Sequence, residues 1–120
     1  HIGVYMDNFT RVMEVKLPHL YAKFLSEIDH LSSFIVDNTG ITLYNISDLA
    51  ERNKTYDIQL YEPNYLLIGQ DGDLAFFLKK DDGETIYSND LGALGSLEME
   101  VVSQDVYKFI EYAKSHYDSF

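Results

Sequence analysis

The sequence predicts an α+β fold, one domain in which helices pack around a mostly antiparallel sheet of about four to six strands. Two observations carry this. Residues 65–68 and 74–78 are short apolar runs suited to a pleated, buried surface, and Gly69-Gln70-Asp71-Gly72-Asp73 between them concentrates turn formers. Residues 18–29 instead repeat apolar side chains at three- and four-residue spacing, the period of an amphipathic helix. Both central runs are nearly continuous rather than alternating, so these strands are expected to be covered on both faces.

Taken in order, residues 1–5 read as a remnant or disordered N-terminus ahead of a start at Met6, leaving 6–120 as the domain. Phe9, Val12 and Met13 share a helical face over 6–15, with Asp7 or Asn8 as the cap. Pro18 suits the first position of the next helix, whose apolar face is Leu20, Tyr21, Phe24, Leu25 and Ile28. Residues 33–36 and 41–44 flank Asp37-Asn38-Thr39-Gly40 and predict a hairpin. Ser47 or Asp48 caps a third helix, with Glu51 in the capping-box position, and Pro63 closes that segment. After the central hairpin, Asp81-Asp82-Gly83 is a turn, 85–87 a short strand and 88–96 a loop. Residues 97–102 alternate apolar with polar or acidic side chains, as an edge strand or an extended lead-in would. Ser103 caps a last helix with Val106, Phe109, Ile110 and Ala113 on its apolar face, and 117–120 read as a frayed tail.

The segment Pro63-Asn64-Tyr65-Leu66-Leu67-Ile68-Gly69-Gln70-Asp71-Gly72 resembles the signature of the SMI1/KNR4 family, the SUKH superfamily. Three further segments fit the family's order. These are Leu17-Pro18 with Tyr21, Phe24 and Leu25; Gly40-Ile41 with Leu43-Tyr44 and then Asp48-Leu49, Glu51-Arg52-Asn53; and Val106 with Phe109-Ile110. The chain departs from the family in one place, where Asp73 stands in a run that family members fill with glycines. This copy of the turn is therefore expected to be stiffer and more acidic. The resemblance implies the α+β fold reached above. It also implies a non-enzymatic module, since bacterial members are largely immunity proteins that neutralise toxins, many of them nucleases, while fungal members serve cell-wall and signalling control.

Composition narrows the partners. Nine basic residues face 20 acidic ones, a net charge of −11 that disfavours nucleic acid and steers basic proteins toward the surface. There is no cysteine, so disulfides and thiolate metal sites are excluded. No apolar run approaches the roughly 18 residues that span a bilayer. No secretion signal is visible, and a cytoplasmic protein without membrane contact is expected.

Motifs for chemistry are lacking. Asp71 and Asp73 have neither the ligand spacing nor the closing Glu of a calcium loop, and the turn at 81–84 should lie at the opposite sheet end. His1, His19, His30 and His116 form no H-x-x-x-H pair. No nucleophile elbow and no phosphate loop occurs. No catalytic residue, metal ligand or cofactor is therefore assigned. The ten tyrosines stand out, because tyrosine packs and hydrogen-bonds at once. Most should be half-buried core. The remainder, with nearby acids, form an acidic, aromatic patch for a basic partner. The candidate partner-binding residues are Tyr44, Asn53, Tyr61, Asp71, Asp73, Tyr87 and Asp90. The expectation is a monomer or weak homodimer that binds a cognate, basic toxin domain, with a regulatory or scaffold module as the alternative.

Overall fold

The two central apolar runs become β3 (Tyr65–Asp71) and β4 (Leu74–Lys79) in the structure, a computed structural model describing residues 2–119. Both strands are covered on both faces, since 66–69 and 75–78 are all buried. The turn is shorter than the sequence implies. Gly69, Gln70 and Asp71 belong to β3, and Gly72 with Asp73 alone makes the reversal. Gly72 takes φ +60, as a two-residue hairpin with glycine first requires, and Asp73 needs no positive φ. Gly69 is glycine for a different reason. A Cβ there would lie 2.4 Å from the Thr42 carbonyl oxygen, beside an irregularity in the β3–β4 register.

Four more strands complete an antiparallel meander: β1 (Phe34–Ile35), β2 (Thr42–Leu43), β5 (Ile86–Asp90) and β6 (Glu100–Ser103). They lie in chain order from β1 to β6, so the predicted strand number and antiparallel sense hold. Five α-helices are described: α1 (Ile2–Met13), α2 (His19–Glu27), α3 (Ile46–Thr55), α4 (Ile58–Tyr61) and α5 (Val106–His116). The Cα radius of gyration is 13.3 Å, against about 13.6 Å expected for one compact domain of this length. No helix among the described residues is long and apolar enough to cross a membrane.

Opposed residues of an antiparallel pair share a face, which assigns the two sides of the sheet. Phe34, Leu43, Phe76 and Ser88 lie on one side, where Phe24 of α2 meets Phe34 edge-on at 5.4 Å and Phe109 of α5 meets Phe76 at 4.8 Å. Leu67, Phe77, Tyr87 and Val101 lie on the other. There Tyr65 meets Phe77 and Tyr87 edge-on, and the segment 91–99 folds back over the sheet. Asn89 Nδ2 donates to the Leu97 carbonyl at 3.1 Å, and the Gly95 N–H donates to Glu62 Oε2 at 2.8 Å, holding that segment down.

The outer edge of β3 sets the position of α3. Strand β2 opposes only Gly69 and Gln70, and the Tyr44 N–H reaches the Ile68 carbonyl at 2.9 Å. Beyond that point the Asn53 side chain takes the place of a strand. Its Nδ2 donates to the Leu67 carbonyl at 2.9 Å and its Oδ1 accepts from the Leu67 N–H at 2.8 Å. The second Nδ2 hydrogen bonds the Leu49 carbonyl at 2.8 Å, and Gln59 Nε2 bridges to Asn53 Oδ1 and the Tyr65 carbonyl. Every donor and acceptor of the amide is used, and Asn53 is 0% exposed.

Several boundaries differ from expectation. Residues 2–5, read as a remnant or disordered N-terminus, form the first turn of α1, and His1 lies outside the described residues. Asp7 and Asn8 are therefore interior, and Val12 is exposed because α1 packs through Phe9 and Met13. Pro18 sits one position before α2 rather than inside it, and Glu84 from the β4–β5 turn accepts from the Leu20 and Tyr21 N–H groups at 2.7 and 3.3 Å. The caps of α3 and α5 are Asn45, accepting from the Asp48 N–H, and Asp105, accepting from the Lys108 N–H. Ser88, Asn89 and Asp90 are strand rather than loop, because β4 on one side and 91–99 on the other satisfy their polar groups. Residues 117–119 form a 3-10 turn against the domain instead of fraying, and Phe120 lies outside the described residues.

Replacing Asn53 strands two buried backbone groups of Leu67. Asn53→Ala is expected to cost about 2–4 kcal/mol, measured by urea unfolding. Asn53→Asp should not restore the loss, because a carboxylate cannot donate to the Leu49 and Leu67 carbonyls.

Candidate functional site

An antiparallel meander sends alternate turns to the same end of the sheet. The β1–β2 turn, the β3–β4 turn and the exit from β5 thus converge, although residues 37 to 90 separate them in sequence. Asp37 lies in the first of these turns, Asp71 and Asp73 flank Gly72 in the second, and Asp90 ends β5. Leu74 pairs with Asp71 on one side and Asp90 on the other, so these carboxylates stand in one row across the sheet. The C-terminal 3-10 turn reaches toward the same end, where the Tyr117 hydroxyl donates to the Asp71 carboxylate, with Asp118 next to it in sequence. The turns are close-packed, since a Cβ on Gly40 would lie 2.8 Å from Asp71 Oδ1.

Four aspartates therefore lie at one end, with Asp118 on the turn that Tyr117 ties to Asp71; all are exposed except Asp71, which is half-buried. Among the described residues the ion pairs are Lys23–Glu27, Arg52–Glu51 and Lys79–Asp82, and none engages these five. Arg52 stands near this end, lining a cleft with Gly40, Gln70 and Gly72, but its own ion pair is to Glu51. The geometry is held from below. Asp90 Oδ1 accepts from the Gly92 N–H at 2.7 Å, and the Asp73 carbonyl accepts from the Leu91 N–H at 2.8 Å. Next to this row a cleft of about 410 Å³ is lined by Asp90, Glu98 and Glu100, with Leu74, Leu97 and Met99 as apolar wall. Carboxylates around an apolar floor suit the aliphatic stem and charged head of a lysine or arginine.

The expected patch is brought together only in part. Asp71, Asp73 and Asp90 meet as described. Tyr61 and Tyr87 lie elsewhere, Tyr61 exposed on α4 and Tyr87 half-buried against Tyr65 on the face under 91–99. Tyr44 is buried, with its hydroxyl donating to Gln70 Oε1, and burial pushes its phenol pKa up, followed by the neighbouring Tyr56. Asn53 is a structural residue and offers nothing to a partner, because its amide is spent on Leu67, Leu49 and Gln59. Glu98, Glu100, Asp37, Asp118 and Tyr117 were not singled out from sequence. The alternation over 97–102 was the available sign for the two glutamates; nothing local marked Tyr117. The turn at 81–84 does lie at the opposite end, spent on α2 through Glu84. No cluster of three or more potential metal ligands occurs among the described residues.

No family model matches the chain, and no curated protein matches it. The SMI1/KNR4 resemblance is thus carried by the motif residues quoted above.

The Tyr117–Asp71 contact raises the Tyr117 pKa above its ordinary value of 10.0, chiefly through the hydrogen bond to Asp71. The contribution to stability is fully present below that ordinary value and is lost as pH rises through the higher folded value. Tyr117→Phe should speed amide exchange at 116–118 at neutral pH. In the parent protein the Tyr117 phenolate absorbance should rise at higher pH than for free tyrosine, and Asp71→Asn should remove that shift.

Proposed function

We propose that this chain is a non-enzymatic protein-binding module whose acidic sheet end and adjoining cleft hold a basic protein surface. The observation that carries the reading is the convergence of Asp37, Asp71, Asp73 and Asp90, with Asp118 on the turn tied to Asp71, without a pairing Lys or Arg among the described residues. Such a surface speeds encounter with a cationic partner and repels phosphate backbones. Asp71 and Asp90 are oriented by their own hydrogen bonds, which lowers the ordering cost when a partner docks.

The SMI1/KNR4 resemblance supplies the partner class. It favours a bacterial immunity protein that binds a toxin domain in the producer's cytosol, a nuclease fitting best. A nuclease keeps a cationic groove for a phosphate backbone, and a rigid array of carboxylates competes for that groove.

The test is co-expression of this chain with the toxin domain encoded beside it. Restored growth with a recovered complex is expected; continued killing without a complex would overturn the reading. In the purified pair, joint Asp73→Lys and Asp90→Lys substitution should slow association by roughly tenfold, and added salt should slow the parent in the same way. Association that ignores salt would remove the electrostatic part of the account.

A further inference from the structure

Strand β6 ends the sheet, and no outer backbone partner of residues 98–103 occurs among the described residues. Edge strands are usually blunted by charged side chains, proline or a covering element; over residues 97–103 the only charges are Glu98 and Glu100, which repel an acidic strand but not a basic one. The two sides of this edge differ in chemistry. Glu100 opposes Ser88 and lies on the α2/α5 side, whereas Val101 opposes Tyr87 and lies on the side under 91–99. Val101 is 69% exposed and Leu97 61%, an outlay of apolar surface that nothing in the domain covers. Beside them opens a cleft of about 520 Å³ between α4 and 95–99, walled by Tyr61, Tyr65, Leu97 and Met99 and carrying Glu62 and Glu98.

We propose that β6 accepts an extended segment of a basic protein as a seventh strand, with lysine or arginine alternating with aliphatic residues. The register dictates the alternation. Side chains of an added strand fall by turns on the Glu100 side and on the Val101 side, where the complements are a cation and an aliphatic group. An aliphatic or aromatic side chain at the end of the segment fills the Tyr61–Leu97–Met99 cleft. Charge selects this occupant over a second copy of the chain. Each copy carries −11, and self-pairing of β6 would bring two sets of Glu98 and Glu100 together. This edge shares Leu97, Glu98, Met99 and Glu100 with the cleft beside Asp90, so the inference rests on the basic-partner reading, while the aspartate turns themselves take no part in it.

The test uses a short acetylated, amidated peptide that alternates lysine and valine, and its block isomer with the same lysines followed by the same valines. Charge and composition are equal, so only strand addition separates them. The alternating peptide should bind roughly tenfold more tightly, shift the resonances of 97–103 and Tyr61, and slow amide exchange along β6. Val101→Lys, at an exposed position, should abolish the preference while leaving the unfolding midpoint in place. Equal affinity for the two peptides, shifts confined to the aspartate turns, or no binding by either peptide would overturn the proposal. So would concentration-dependent dimerisation through β6 without peptide, which would assign the edge to a second copy.

Discussion

The side-chain amide of Asn53 bonded to both backbone groups of Leu67 is the constraint on which the rest of the structure depends. Strand β2 is two residues long and leaves the first half of β3 without a strand on its outer side. A buried strand with an open edge would carry the desolvation cost of each unpaired group. Asn53 closes the edge at Leu67, Gln59 closes it at Tyr65, and the Tyr44 N–H closes it at Ile68. One consequence is the place of α3 and α4, which must lie in line with the sheet rather than on it. That leaves the far face for 91–99 to cover, and it brings Tyr61 and Glu62 to meet Gly95.

The second consequence is topological. A six-stranded antiparallel meander has no freedom over which end its connections occupy, even where α3 and α4 join β2 to β3. Once β3 is central and β1–β2 is a hairpin beside it, Asp37, Asp71, Asp73 and Asp90 share an end. The C-terminal 3-10 turn, which carries Asp118, is tied to Asp71 through Tyr117. Like charges so gathered repel, and the fold holds them with specific local bonds: Tyr117 on Asp71, Gly92 on Asp90, Leu91 on Asp73. A repulsion of this kind costs stability and is relieved when a cationic surface arrives, which links the fold to the proposed function.

Much of this was legible in the sequence, and the exceptions have physical reasons. Periodicity exposed α2, α5 and the β3–β4 hairpin, because those segments bury one face or both and must be patterned accordingly. Caps were misplaced onto Ser47, Asp48 and Ser103, since several residues in each stretch are competent and the approach of the chain decides among them. The polar end of β5 read as loop because its burial depends on 91–99, a contact with no local sign. Asn53 looked like a surface residue for the same reason, its bonds to Leu67 and Gln59 being set by tertiary packing. Asp71, Asp73 and Asp90 were marked by their type, while their convergence follows from strand order rather than from spacing along the chain. Glu98 and Glu100 were visible as part of an alternating stretch whose partner side only the β5–β6 pairing defines.

The central claim is that the aspartate turns and the cleft beside them are the recognition surface. Hydrogen exchange on the chain bound to the basic toxin domain proposed as its partner tests this most directly. Slowed exchange at 37–40, 71–74 and 90–100 is expected, with α1 and the β4–β5 turn unchanged. Protection centred on α1 or the β4–β5 turn, with the aspartate turns exchanging as in the free chain, would contradict it.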